Sequence, residues 1–273
     1  MLPALAQVCS LNSPLEADIE DYAAGQCRVI ELWWGKVDAY LDAHSPRDLT
    51  DLLAEHEMLA PVISFQGGLL TTQGDFRKEQ WDLYARRLEL CQQLGIGTMV
   101  LAGDLYGDFD EPALERARVS LTQAAAHAGV HRVRLALEFQ GRASFANNLQ
   151  TAAAIVNDAA SPHLGLCLDM FHYYIGPSKP EDFGYLARES LFHVQVSDLA
   201  GVAREVAADA DRVLPGDGDF HFEPLIERLR QIEYAGYVSL ELMNPQIWQV
   251  PPRQFGEIGI TALRKLLGQA GME

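Results

Sequence analysis

Apolar residues recur along this chain in short blocks. Between the blocks run longer stretches in which apolar positions return every three or four residues. The first pattern marks buried strands and the second amphipathic helices. Strands are predicted at 5–9, 28–34, 61–66, 98–102, 132–138, 164–169, 191–196 and 237–242. Helices are predicted between them, near 15–25, 47–57, 76–94, 111–128, 147–160, 181–188, 222–234 and 254–268. Eight strands, each followed by a helix, is the count of a (β/α)8 TIM barrel, an α/β fold. Residues 1–273 are expected to form one such domain. A doubly wound sheet would carry a glycine-rich phosphate loop after its first strand, and the first turn here, CSLNSPLEAD, has no glycine. Two connections are long, FQGGLLTTQGDF after the third strand and SDLAGVAREVAADADRVLPGDGDF after the seventh. Long loops on the carboxyl face of a barrel are where substrates are usually covered.

Four of the later strands end alike, as LALE (135–138), LCLD (166–169), HVQ (193–195) and SLE (239–241). Successive side chains of a strand point to opposite faces. Glu138, Asp169, Gln195 and Glu241 therefore share a face with Ala136, Cys167, His193 and Ser239, which are small or polar. The other face carries Leu135, Leu137, Leu166, Leu168, Val194, Val196, Val238 and Leu240. One face is ready to be covered by helices, and the other ends in oxygen donors. In a barrel these strands are neighbours, so Glu138, Asp169, Gln195 and Glu241 are candidate ligands of one divalent metal ion. An all-oxygen set suits Mg²⁺ or Mn²⁺ better than zinc. Any one of these acids could simply cap a strand or pair with an arginine. Four matching strand ends in order weaken that reading.

Charge and cysteine content narrow the partners. The formal net charge is −17, from 21 basic and 38 acidic residues. A field of that sign repels polyphosphate, so nucleic acid is not an expected partner. No run approaches the ~18–20 apolar residues of a membrane span. The start, MLPALAQVCSLNS, lacks the basic region of a secretory signal. Cys9, Cys27, Cys91 and Cys167 are scattered without a CxxC pair, so a reducing cytoplasm is expected. A homo-oligomer is compatible with the sequence.

Further candidates lie beside the strand ends. His172 follows Asp169 by three residues, on the loop expected after the sixth strand, where it can donate to a substrate oxygen. His193 points inward beneath Gln195, as a supporting histidine or a substrate contact. Arg212 opens RVLPGDGDF, whose tight turn can aim the guanidinium into the site. Arg142 follows Glu138 by four residues at the rim. Either arginine can equally pair with surface acids. Trp33, Trp34 and Phe65 end the second and third strands and are expected to pack the barrel mouth. Glu31 and Gln66 beside them can read hydroxyls. The sequence shows no serine nucleophile elbow, P-loop lysine or convincing nucleotide motif.

The order of these motifs resembles the xylose-isomerase-like TIM-barrel superfamily of sugar phosphate isomerases and epimerases, most strongly from Leu135 to Pro245. In that family a strand-five Glu, a strand-six Asp in a DxxH motif, a strand-seven His or Gln and a strand-eight Glu bind one divalent metal. The matching positions are Glu138, Asp169 with His172, Gln195 and Glu241. The resemblance implies that the two glutamates also move the proton, making Glu138 and Glu241 the candidate catalytic pair. It implies that His172 and Arg212 hold substrate oxygens. The chain departs from ketose 3-epimerases at strand seven, where HVQ stands in place of HxH. Gln at that place is similar to hydroxypyruvate isomerases and bacterial 3-dehydroshikimate dehydratases. DNA-repair endonuclease IV shares the barrel, but the early strands here lack its extra histidines and the charge has the wrong sign for DNA.

The expected function is a metal-dependent isomerase or epimerase of a small keto-sugar or keto-acid, acting through an enediolate. One alternative is a lyase of the 3-dehydroshikimate dehydratase type, which begins with the same proton abstraction and then expels a β-hydroxyl. Its substrate carries a carboxylate, which Arg212 or Arg142 would meet. A catalytically silent polyol-binding barrel is the third. Acids clustered inward without a cation would repel one another, which counts against it.

Overall fold

A computed structural model describes residues 1–269. The strands are β1 (Leu2–Ala6), β2 (Val29–Trp33), β3 (Leu59–Gln66), β4 (Thr98–Gly103), β5 (Arg134–Phe139), β6 (Leu164–Asp169), β7 (Leu191–Val196), β8 (Asp198–Leu199), β9 (Arg212–Val213) and β10 (Tyr237–Leu240). Eight of them close into a parallel barrel in the order β1-β10-β7-β6-β5-β4-β3-β2. The remaining two, β8 and β9, form a small antiparallel ribbon pairing Asp198 with Val213 and Leu199 with Arg212. The TIM barrel is thus the fold that the alternation of strand and helix predicts.

The faces divide as the sequence pattern requires. Leu135, Leu137, Leu166, Leu168, Val194, Val196, Val238 and Leu240 all belong to the large apolar core between barrel and helices. Val62, Val100, Ala136, Cys167 and Phe192 form a separate small cluster that fills the lower lumen. Three register shifts interrupt the ladders, between β2 and β3, between β3 and β4, and between β6 and β7. At β7 the pairing passes from Leu166–Leu191 to Cys167–His193, so Phe192 is an extra residue and joins the lumen cluster. At β3 it passes from Ile63–Met99 to Gln66–Leu101. A bulge of this kind re-aims the side chains beyond it.

The first strand begins three residues earlier than predicted. Gln7–Ser10 then turn into a short 3-10 helix, whose apolar Val8 and Cys9 look strand-like in sequence. Two helices escape the periodicity. One, Trp34–Leu41, follows directly on β2. The other, Met170–Ile175, spans only six residues, too few to show a period. The helix predicted at 181–188 is a 3-10 turn over Pro180–Tyr185. Among the described residues, no helix is long and apolar enough to cross a membrane.

Candidate active site

The upper lumen is built from polar residues at inward positions of β2, β7 and the end of β10. Glu31 is fully buried and accepts from His193 Nε2 at 2.8 Å and from Gln195 Nε2 at 2.8 Å. Burial alone would raise the Glu31 pKa, but the adjacent His193 holds this carboxyl below its ordinary value. The Gln195 amide also donates to Glu241 Oε1 at 3.1 Å, and its oxygen faces the Cys167 thiol at 3.1 Å. With a carboxylate on either side, the NH₂ end must point at both. Gln195, expected as a metal ligand through its oxygen, is therefore placed as a donor that braces Glu241. His193 sits beneath it, paired with Glu31, and does not line the cavity above.

The next layer holds the carboxylates. Glu138 ends the inward face of β5, and Asp169 ends β6. Glu241 lies just beyond β10, and its N–H still donates to Val196 at 3.0 Å. Asp169 caps the short helix after it, accepting from the Phe171 N–H at 2.7 Å. That helix, rather than the loop expected, brings His172 over the site one turn later. His172 Nε2 lies 3.6 Å from Glu138 Oε1 and 3.9 Å from Asp169 Oδ2. Glu138, Asp169 and His172 offer ligand atoms all within 4.8 Å of one another. His172 Nδ1 is buried without a hydrogen-bond partner.

Arg212 stands between two of the acids. Its guanidinium donates to Asp169 at 2.8 Å, to Glu241 at 3.0 Å and to Asp209 at 2.8 Å, and it stacks on Phe171 with its carbon 4.3 Å from the ring centre. The arginine is only 1% exposed, so its pairing with the half-exposed Asp209 joins a buried guanidinium to the rim. The turn after it is held by Asp198, whose carboxylate accepts from the N–H groups of Leu199, Gly216, Gly218 and Phe220. A side chain on Gly218 would come within 2.4 Å of Asp198, so the turn needs glycine there.

Environment separates the acids. Burial opposes ionisation of Asp169, yet Arg212 and His172 hold its carboxyl below the usual range. Burial, reinforced by the Asp169 charge, pushes Glu138 well above it. Glu241 is also pushed well above, by burial that Arg212 only partly offsets. Burial lowers His172, which favours the neutral imidazole a metal requires. Among the described residues, the imidazole of His172 is the only basic side chain within 4 Å of Glu138. A buried carboxylate so weakly compensated is relieved by a bound cation. Two carboxylates and an imidazole fit a divalent ion. The imidazole removes the all-oxygen argument against zinc.

A cavity of about 270 Å³ opens above this layer, lined by Glu138, His172, Arg212 and Glu241 together with Asp104, Tyr106, Gln140 and Asp209. Besides His193, two predicted substrate contacts lie elsewhere. The β3 bulge sets Gln66 beside outward-facing Leu101, where it accepts from Arg87 at 3.1 Å and donates to Gly67 at 2.7 Å. Phe65 reaches the cavity in its place. Arg142 is turned to the long loop, donating to the carbonyls of Glu205, at 3.1 Å, and Ala207. Trp34 is buried in the outer core under Arg87. Asp104 and Gln140 were legible: they continue the inward parity of Val100–Ala102 and Ala136–Glu138 by one more step. Tyr106 and Asp209, on loops, carried no such signal.

A closed parallel barrel with carboxylate and imidazole donors at the carboxyl ends of its strands defines a recognisable class. The chain belongs to the xylose isomerase-like TIM barrel family, whose model matches residues 21–266. It is 25% identical over 244 residues to an inosose isomerase of Bacillus velezensis, covering 88% of this chain and 87% of that protein. It is 25% identical over 262 residues to a 3-dehydroshikimate dehydratase of Pseudomonas putida, covering 93% of this chain. The chain spans only 40% of the length of that dehydratase. The crystal structure of the IolI protein with a bound zinc atom superposes with a TM-score of 0.92 over 100% of both chains, at 22% identity. At that identity the likeness shows the fold. The curated relatives carry the names of enzymes, an isomerase and a dehydratase.

Proposed function

We propose that this protein is a divalent-metal-dependent isomerase or epimerase of an uncharged polyhydroxy ketone. The observation that carries this reading is the pair Glu138 and Glu241. Both line one cavity, both are pushed well above the usual carboxylate range by burial, and two strands of the barrel separate them. Carboxyls so raised, on either side of one cavity, are suited to give and take a proton. One glutamate takes the proton from the carbon beside the substrate carbonyl, and the C–H electron pair moves onto the carbonyl oxygen. The other returns a proton to the opposite face or to the adjacent carbon. Glu138, Asp169 and His172 are the residues to hold the ion, with Mn²⁺, Mg²⁺ and Zn²⁺ as candidates. When bound, the cation polarises the carbonyl and offsets the charge that develops on its oxygen. Arg212 keeps Asp169 ionised and orients Glu241, and Gln195 braces Glu241 from below.

The cavity's charge supports an uncharged substrate. Its lining includes the carboxylates of Asp104, Glu138, Asp209 and Glu241. Arg212 is its only lysine or arginine, and three carboxylates already engage it. Arg142, the other candidate partner for a substrate carboxylate, is occupied by the loop. A keto-acid or 3-dehydroshikimate would enter without a free cation to meet its carboxylate. The test is a turnover screen of metal-stripped protein reconstituted with Mn²⁺, Mg²⁺ or Zn²⁺. The substrates are an inosose, neutral ketohexoses, hydroxypyruvate and 3-dehydroshikimate. Metal-dependent turnover confined to the neutral ketones is expected. Turnover of 3-dehydroshikimate alone would replace this reading with the dehydratase.

A further inference from the structure

Asp104 is a cavity residue outside the carboxylate layer whose hydrogen bonding the protein leaves half complete. It follows β4 directly and lines the cavity. Its Oδ2 is fixed by the Gly68 N–H at 2.6 Å. Its Oδ1 is buried without any hydrogen-bond partner. A buried acceptor left unmade is costly, and a ligand donor drawn to the wall of the cavity that Asp104 lines would complete it. The position is also informative. Ala102 pairs with Glu138 across the barrel wall, and Asp104 lies two residues farther toward the mouth. At ~3.3 Å per residue this sets its carboxylate about 6–7 Å beyond the level of Glu138. That is the far side of a six-carbon polyol whose carbonyl carbon lies at the glutamates. Gln140 and Tyr106 line the same outer level. Phe65 and Tyr106, about half exposed at 47% and 54%, border it at the rim.

Resting on the proposed function, we propose that Asp104 determines specificity by accepting a hydrogen bond from a hydroxyl at the end of the substrate away from the reacting carbons. The same carboxylate excludes ketones that carry a carboxylate at that end, because the two anions would meet without a cation between them. Asp104 acts in recognition and does not take part in the proton transfer. Its fixed Oδ2 prevents the side chain from swinging to avoid a misplaced anion.

Calorimetric binding to the metal-loaded protein tests this without requiring turnover. The probes are myo-inositol, its monodeoxy analogues and shikimate. The proteins are wild type, Asp104→Ala and Asp104→Asn, and Asn retains an acceptor for the Gly68 N–H. Wild type should bind myo-inositol and lose at least ~10-fold in affinity for one monodeoxy analogue, the scale of a hydrogen bond to a charged group. Asp104→Ala should bind myo-inositol and that analogue equally. Asp104→Asn should bind shikimate more tightly than wild type does, by about fivefold or more. Equal losses in wild type and Asp104→Ala for every analogue would overturn the assignment, as would failure of wild type to bind any neutral polyol. If wild type turns over an inosose or ketohexose while the analogue losses are equal, the proposed function stands and Asp104 is not its selector. If wild type prefers shikimate to myo-inositol, the neutral-substrate reading itself falls.

Discussion

Two groups of buried charge differ in how their partners are supplied. One lies between the Gln7–Ser10 turn, the helix Leu15–Ala24 and the helix Trp34–Leu41. There Asp18, 0% exposed, accepts from Lys36 Nζ at 2.5 Å, from Gln7 at 3.2 Å and from the Ser13 hydroxyl. Lys36 also donates to the Ser10 carbonyl at 2.6 Å. The other is the carboxylate layer at the mouth. There Glu138 meets only a distant imidazole, and Asp104 Oδ1 and His172 Nδ1 have no partner. Both groups carry the desolvation cost of buried charge. In the first, the chain supplies the donors, and the cluster ties two helices to a turn. In the second, donors are missing around a cavity, and what is missing describes a ligand: a cation near Glu138 and a hydroxyl near Asp104.

The largest expected effect comes from breaking the closed group. Lys36→Ala leaves Asp18 buried without a counter-charge and should destabilise the fold by about 3–5 kcal/mol, read by denaturant unfolding. Loss of less than ~1 kcal/mol would show that water reaches Asp18 and that the two groups are not different in kind. Filling the open group should act in the opposite direction. Mn²⁺ or Zn²⁺ at 100 times its dissociation constant should stabilise the metal-free protein by about 2.7 kcal/mol. Asp169→Asn should remove most of that gain while Lys36→Ala retains it.

Substitution within the open group should affect rate rather than stability. Glu138→Gln and Glu241→Gln should each lower kcat by at least ~100-fold, about 2.7 kcal/mol of barrier. The unfolding midpoint of metal-free Glu138→Gln should not fall, since Gln there removes a charge that the chain pairs poorly. A metallated variant with near wild-type kcat would remove that glutamate from proton transfer. Asp198→Asn stands between the two cases, because Asp198 is fully partnered yet supports the site. It should cost about 2 kcal/mol of stability and raise KM through the loosened Arg212 turn. Arg142→Ala should have the smallest effect, changing kcat/KM by less than about threefold, or ~0.7 kcal/mol.

Much of this contrast was legible in the sequence. The barrel followed from eight strand–helix alternations, and the eight outward apolar residues of the later strands lie in the helix-facing core. The acids Glu138, Asp169 and Glu241 followed from parity at strand ends, and parity also reaches Asp104, two residues beyond Ala102. What misled the reading was register. A single bulge in β3 turned Gln66 outward and delivered Phe65 to the cavity. Bulges leave little trace in a hydrophobic pattern. Hydrogen-bond direction was equally hidden. Gln195 occupies the expected place, but the carboxylates on both sides of it decide which end of the amide faces them. The Lys36–Asp18 pair joins a helix too closely coupled to β2 to be read separately, and nothing in its spacing distinguishes it from surface charge.

The most direct test of the account is proton exchange. Metal-loaded protein and a neutral polyhydroxy ketone, beginning with an inosose, would be followed in D₂O by ¹H NMR. The account predicts loss of the proton signal on the carbon beside the carbonyl as deuterium enters there, slowed at least ~100-fold in Glu138→Gln and in Glu241→Gln. No deuterium at that carbon for any neutral ketone, together with release of water from 3-dehydroshikimate by the same preparation, would contradict it.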